Sequence, residues 1–344
     1  MATLRVLIAE DSPTARRLLV VLMNADPELE VVGEARDGAE AIELCKKLRP
    51  DLVTMDIQMP VMDGVEATRR IMIESATPVV MVASRDPVDV RAAMLALDAG
   101  ALAVLAKPSG PRTASFDREC RELITTIKAM AKVKLVRRWD SIPPYRIAEP
   151  RATPPEPREI AVVGLVSSTG GPNALRAVLS GLPADFAPPI MIVQHIAAGF
   201  AQGLAEWLTA TTRRQVRLAS DGERFVNGMV YLAPNDRHLE VTRDRIAVTA
   251  TPPVEGFRPS GTRLFSSLAS AFGARAIGVI MTGMGRDGVA GLLEMRDAGS
   301  AVIAQDEASC DIFGMPGAAL AAGAVTGTTP LSEIPARLVD LVAK

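Results

Sequence analysis

Two groups of residues in this chain have the types and spacing to do chemistry. The first centres on a serine turn. Residues 161–179, AVVGLVSSTGGPNALRAVL, read as a strand, a turn of small residues and a helix. Gly170 and Gly171 let the backbone turn sharply, and Pro172 suits the first turn of a helix. A serine in such a turn lies near a helix N-terminus, where free N–H groups and the helix dipole favour developing negative charge. Acyl transfer needs that pairing of nucleophile and oxyanion donors. The turn is not a P-loop, because no Gly-Lys-Ser/Thr follows, and it is not G-x-S-x-G. On its own it reads equally as punctuation or as a nucleotide site.

A serine nucleophile needs a base, and the chain offers only two histidines. His195 ends the strand-like run PIMIVQH and precedes a glycine-opened helix, at the same sheet edge as the serine turn. His238, in NDRHLEV before a predicted hairpin, reads as structural or peripheral. The third element is IMTGMGRDGVAGLLE, where Asp287 sits in a glycine-rich turn between strand and helix. Asp287 either caps the following helix or holds an imidazole in its working tautomer, as in serine–histidine–aspartate hydrolysis.

The second group is acidic. Glu10 and Asp11 end the first predicted strand, Asp56 ends the third, and Lys107 ends the fifth. In open α/β sheets ligands bind beyond the carboxyl ends of the strands, where the winding reverses. Three carboxylates converging there require a neutralising cation. Oxygen donors of this kind suit magnesium, and a lysine adds mobile positive charge toward an anion. An aspartate so placed is a candidate nucleophile for a phosphoryl group.

The elements that must position these residues follow from the apolar patterning. Strand-like runs at 4–10, 29–35, 51–56, 78–84 and 103–107 alternate with stretches carrying apolar residues at three- and four-residue spacing. Five βα units predict an open parallel sheet with helices on both faces, in the flavodoxin-like order. A longer helical stretch, 116–139, closes this domain, 1–139. Residues 140–158 contain six prolines, at 143, 144, 150, 154, 155 and 157, and read as an extended, semi-stiff linker. A second series fills 159–344, with strands at 159–167, 189–195, 276–283 and 300–306. Its helices begin near Pro172, Gly199, Ser260, Gly288 and Pro316, and HLEVTRDRIAVTA predicts a hairpin. The expectation is a doubly wound, mostly parallel α/β domain with a small antiparallel excursion.

Composition excludes several classes. A net charge of −2 gives no electrostatic case for nucleic acid or an anionic membrane. The basic run 132–138 reads as a solvated helix face. Three scattered cysteines suggest neither a disulfide framework nor a zinc site. No segment approaches the roughly 20 apolar residues of a membrane span, and no cleavable leader is evident. The expected location is the cytoplasm.

Two stretches resemble known families. AEDSPTARRLL, MDIQMPVMDGVEATRRIM and AKP, within about 1–108, resemble the two-component receiver domain. The resemblance implies that Asp56 is the phosphoacceptor and that Glu10, Asp11, Asp56 and the carbonyl of Gln58 bind Mg2+. It also implies that Lys107 contacts the phosphoryl oxygens, together with a Ser or Thr whose place falls on Ala83 or Ser84, Ser84 being the residue able to do so. Where receivers often carry an aromatic switch residue, this chain has Val104. Over about 159–340, SSTGGP, VQHIAAGF, LAPNDRH, RPSGTRLFSSLA, MTGMGRDG and QDEAS-C-DIFGMP resemble the catalytic domain of the chemotaxis protein-glutamate methylesterases. That likeness implies Ser168, rather than Ser167, as nucleophile, His195 as base and Asp287 as its orienting partner. It implies Thr169 and the Met284 N–H at the oxyanion.

The joint resemblance implies a phosphorylation-activated esterase that hydrolyses glutamate methyl esters on methylated chemoreceptors, with a chemotaxis histidine kinase as phosphodonor. It further implies an intramolecular receiver–catalytic interface that phosphorylation relieves, and no cofactor for the ester chemistry. Some relatives also deamidate receptor glutamine. The chain departs from the family at Phe257, where histidine is common, at Asp311, where an aliphatic residue is usual, and at Gly261-Thr262-Arg263. These positions are expected to shape the substrate groove. The rival readings are a response regulator with DNA- or protein-binding output, a silent esterase serving as a phosphate sink, and an esterase acting on small molecules.

Overall fold

The computed structural model describes residues 3–113, 115–133 and 160–343. The chain divides into two compact units. The closing helix, predicted over 116–139, ends at Met130, and residues 134–159, including the proline-rich stretch 140–158 and most of the basic run 132–138, lie outside the described residues.

The first unit alternates β1 (Leu4–Ala9), α1 (Pro13–Asn24), β2 (Leu29–Ala35), α2 (Gly38–Leu48), β3 (Leu52–Met55) and α3 (Gly64–Glu74). It continues through β4 (Val79–Ala83), α4 (Pro87–Asp98), β5 (Ala103–Ala106) and α5 (Phe116–Met130). The strands form one sheet in the order β2-β1-β3-β4-β5, and every pair is parallel. β3 and β4 are buried along their whole length, as strands covered on both faces must be. Helix faces follow the sequence spacing: Gly38, Ala41, Ile42 and Cys45 are the buried stripe of α2, and Gly64, Ala67, Thr68 and Ile71 that of α3. Ser12, Asp37, Asp63 and Asp86 each accept an N–H in the first turn of the helix they precede.

The second unit begins with β6 (Val162–Ser167), α6 (Gly171–Gly181), β7 (Ile190–Gln194), α7 (Ala201–Thr212), β8 (Val216–Leu218) and β9 (Val230–Leu232). There follow β10 (His238–Val241), β11 (Ile246–Thr249), α8 (Gly261–Phe272), β12 (Ala276–Ile280), α9 (Val289–Asp297), β13 (Ala301–Ala304), α10 (Met315–Ala321) and α11 (Ile334–Val342). Six parallel strands run in the order β13-β12-β6-β7-β9-β8, and β10 and β11 form the predicted antiparallel hairpin as a separate pair. The winding reverses at β6, with β7 on one side and β12 on the other, so the crevice for a ligand opens beyond their carboxyl ends. α8 turns Leu264, Phe265, Leu268, Ala269 and Phe272 into the core beneath this crevice. β2 fills its predicted run, and the other predicted strands are one to three residues shorter, ending just before Glu10, Asp56, Ser84, Lys107 and His195, where the chain turns into loops. Among the described residues no helix is long and apolar enough to cross a membrane.

Candidate active site

Ser167 and Gln194 are register partners at the last rung of β6 and β7, so Ser168 and His195 leave the sheet side by side. The His195 N–H donates to the Ser167 carbonyl at 3.0 Å. The buried Gln194 amide then ties the turn together. Its Nε2 donates to the carbonyls of Ser168 (2.7 Å) and His195 (2.8 Å), and its Oε1 accepts from Ser167 Oγ at 2.6 Å. Ser167 is therefore turned inward and spent on structure, while Ser168 is only partly buried. Gly171 makes this packing feasible: a Cβ there would lie 2.0 Å from Gln194 Oε1. Gly170, at φ 79°, supplies the left-handed residue that opens α6.

From the other side, the Ser168 N–H donates to the Thr282 carbonyl at 3.0 Å, and Thr282 Oγ1 donates to the Thr169 carbonyl at 2.9 Å. Gly283 packs so closely on Ser168 that an added Cβ would lie 2.7 Å from the serine Cβ. Met284 is the next residue, and Thr169 lies in the turn opening α6, so both predicted oxyanion residues flank Ser168.

Asp287 is fully buried, and its Oδ2 lies 2.9 Å from His195 Nε2. The sequence left two roles for it. Capping of the following helix is not found: Gly288 occupies the N-cap of α9. Asp287 instead sits at the N-terminus of α8, where it accepts from Ser260 Oγ (2.7 Å), Gly261 N–H (2.6 Å) and Thr262 N–H (3.2 Å). Burial alone would raise its pKa, but the bond and charge of His195, with Ser260 and Gly261, outweigh burial and hold it below the usual carboxylate value. His238 plays the structural part expected of it. Wholly buried, it accepts the Ser260 N–H at Nδ1 (3.2 Å), and its Nε2 donates to the Pro252 carbonyl (3.1 Å).

The structure thus pairs imidazole with carboxylate, but a serine–imidazole hydrogen bond is not closed. His195 Nδ1, shielded from solvent, has no hydrogen-bond partner among the described residues. Catalytic contacts of this kind often tighten only around substrate. Phe257, expected to shape the substrate groove, stacks on the His195 ring, centroids 4.3 Å apart and planes 11° from parallel. Gly261 and Thr262 are spent on Asp287, with Thr262 Oγ1 also accepting the Gly288 N–H. Asp311 packs on Gly170, where an added Cβ would lie 2.3 Å from its Oδ2. Cys310 nearby is pushed up to about 12, by burial first and then by the charges of Asp306 and Asp311, so it is a neutral thiol.

Gln194 and Ser260 are site residues that the sequence did not single out, and Phe257 was marked only as a groove position, not as a partner of His195. Ser260 had a partial signal, since a serine opens a predicted helix there, but nothing local says that its hydroxyl would serve a carboxylate 27 positions away.

In the first unit, Glu10, Asp11 and Asp56 each place a carboxylate oxygen within 4.8 Å of the others. Lys107 Nζ lies 2.9 Å from Glu10 Oε2 and 2.8 Å from Asp56 Oδ2. Burial opposes the Lys107 charge, yet Asp56 and Glu10 more than offset it and its pKa is raised. Glu10 is raised to about 7, by burial first and by the charge of Asp56 second. Among the described residues its Oε2 has no partner other than the Lys107 ammonium. Three carboxylates converging beside one ammonium, all of them oxygen donors, fit a hard divalent cation. Gly64 allows α3 to approach the cluster, since a Cβ there would overlap the Asp56 carbonyl oxygen. Ser84 is not turned to Asp56: its hydroxyl donates to Asp89 of α4, which also accepts from Gln58 Nε2 at 2.7 Å. Val104 is buried in β5, paired with Met81.

An acidic cluster on one doubly wound unit, and a serine, imidazole and carboxylate near the crevice of another, are the residue types of a receiver joined to a serine hydrolase. The family described as "CheB methylesterase" matches residues 163–338, and "Response regulator receiver domain" matches 6–114. The chain is 53% identical over 340 residues to a protein-glutamate methylesterase/protein-glutamine glutaminase of Myxococcus xanthus, covering 98% of this chain and 96% of that one. It is 53% identical over 322 residues to a relative of the same name from Anaeromyxobacter dehalogenans, covering 93% and 94%. Among solved structures, the Thermotoga maritima CheB methylesterase catalytic domain aligns with a TM-score of 0.51 at 35% identity, over 53% of this chain and 98% of that one. The chain belongs to the receiver-linked CheB methylesterase family.

Proposed function

We propose that this protein is a receiver-controlled serine esterase that hydrolyses glutamate methyl esters on chemoreceptors, with Ser168, His195 and Asp287 as its catalytic residues. Family membership supports the activity. The observation that carries the assignment of residues is the His195–Asp287 pair beside Ser168, with the carboxylate locked by the N-terminus of α8.

Ser168 Oγ attacks the ester carbonyl while His195 Nδ1, the free nitrogen, takes its proton. Asp287 then faces an imidazolium, and its fixed negative charge stabilises it without reorganising. The oxyanion lies toward the N–H groups of Thr169 and Met284. Collapse breaks the bond to methoxide, which leaves as methanol with the proton from His195. Water then attacks the acyl-serine with His195 again as base, releasing the glutamate side chain and restoring the hydroxyl. The same route on a glutamine amide expels ammonia, the second activity in the relatives' name.

In the receiver, Asp56 accepts a phosphoryl group from a histidine kinase. Glu10, Asp11, Asp56 and the Gln58 carbonyl would hold Mg2+, which when bound neutralises charge between carboxylate and phosphoryl oxygens. Lys107 is already within reach of Asp56. Ser84 must leave Asp89 to contact the phosphoryl group.

The test is methanol release from methylated receptor, with and without an acyl-phosphate donor, for wild type and Ser168→Ala. Turnover that rises with the donor and vanishes in the variant is expected. Full activity in Ser168→Ala would remove the assignment.

A further inference from the structure

The face of the base is covered by a residue that the chemistry above does not use. We infer that Phe257 is a positioning residue for His195: its ring fixes the plane of the imidazole so that Nδ1 faces Ser168. The inference rests on the catalytic reading of Ser168 and His195.

Among the described residues the imidazole has one hydrogen bond, from Nε2 to Asp287. A single bond fixes one corner of a ring and leaves it free to pivot about that contact. A second constraint is needed to hold the plane, and a parallel aromatic ring at 4.3 Å supplies it. The mount of that ring is stiff. Val254 and Phe257 exchange both backbone hydrogen bonds, Val254 N–H to Phe257 O at 3.1 Å and Phe257 N–H to Val254 O at 2.9 Å. The two residues between them, Glu255 and Gly256, have φ of 49° and 87°. Two positive φ values in a two-residue loop define a type I′ hairpin turn.

Arg258 ties the arm down. Its Nε donates to Asp236 Oδ1 at 2.8 Å, and its Nη1 donates to the carbonyls of Ala250 and Thr251. Two residues further on, Ser260, Gly261 and Thr262 grip Asp287. One six-residue segment, 257–262, therefore holds both members of the His–Asp pair, the imidazole by its face and the carboxylate by its oxygens. Misorientation of a reacting group is costly to rate even when binding is untouched.

The experiment uses the full chain with acyl-phosphate donor and methylated receptor, comparing wild type with Phe257→Leu, Phe257→Tyr and Phe257→His. Leucine fills space without a flat face, whereas tyrosine and histidine keep one. Phe257→Leu should lower kcat about threefold to tenfold with KM unchanged, and both aromatic variants should restore kcat to within about twofold. Proton NMR of the two histidines reports the stack directly. The His195 ring signals should be displaced upfield in wild type and in the tyrosine variant, and should return toward ordinary positions in the leucine variant. Unchanged kcat in Phe257→Leu, a loss confined to KM, or failure of tyrosine to rescue would overturn the inference. If Ser168→Ala keeps its turnover, the catalytic reading falls first and takes this role with it, even where the ring signals show an intact stack.

Discussion

Each unit buries carboxylates at the carboxyl edge of a parallel sheet, and the two edges treat them in opposite ways. Asp287 is satisfied on every side, by an imidazole, a hydroxyl and two helix N–H groups, and its pKa is driven down. Glu10 is buried, is crowded by Asp56, has to share the single Lys107 ammonium with it, and is driven up to about 7. The contrast separates two kinds of functional site. A fully bonded charge is preorganised and can stabilise a transition state at once. An under-compensated cluster is poised instead to respond to an added ion or charge. The first arrangement suits catalysis, the second a switch.

The largest effects should come from breaking the preorganised edge. Ser168→Ala and Asp287→Asn should each lower kcat for methanol release by about 10⁴-fold. An Asp287→Asn enzyme within tenfold of wild type would mean that the carboxylate does not orient the base. Next is the switch edge: Asp56→Asn should abolish the rise in activity produced by an acyl-phosphate donor, measured in the same assay. A smaller loss should follow Ser260→Ala, which removes one charge-assisted hydrogen bond from Asp287. About tenfold in kcat is expected, with KM unchanged.

The contrast was only partly visible in the sequence. The βα alternation, the helix faces and the convergence of Glu10, Asp11 and Asp56 follow from apolar periodicity and from where polar residues interrupt it, so these were legible; the strand order of the second sheet was not. The same logic put the serine turn and His195 on one edge, because both stand just past a buried run, while the choice of Ser168 over Ser167 came from the family resemblance. It could not say which imidazole nitrogen meets Asp287, nor that the carboxylate would take its amides from α8 rather than α9. Those outcomes depend on the register between elements far apart in the chain. Phe257 is the plainest case: its neighbours mark a turn, and only the packing of that turn brings the ring to His195. Ser84 was legible by position, yet its bond to Asp89 depends on how α4 docks beside β4. α11 went unread, its short apolar run lying beyond the last predicted helix.

The smallest expected effect is also the sharpest test of the comparison, because the two carboxylates should give folding stability opposite dependences on pH. Folded Glu10 holds its proton up to about 7, whereas its ordinary value is 4.5. Between those values the unfolded chain has lost a proton that the folded chain keeps, so stability falls as pH rises through the window. For Asp287 the folded value lies below the ordinary 3.8. Its contribution is complete above that value and is lost as pH falls through the folded pKa. Urea unfolding of the chelator-treated full chain should therefore show a decline of about 1–2 kcal/mol between pH 4.5 and 7. Glu10→Gln should flatten it, and Asp287→Asn should leave it in place while removing the acid-side loss. An unaltered slope in Glu10→Gln would show that the first edge carries no uncompensated charge, and the distinction between the two edges would fail.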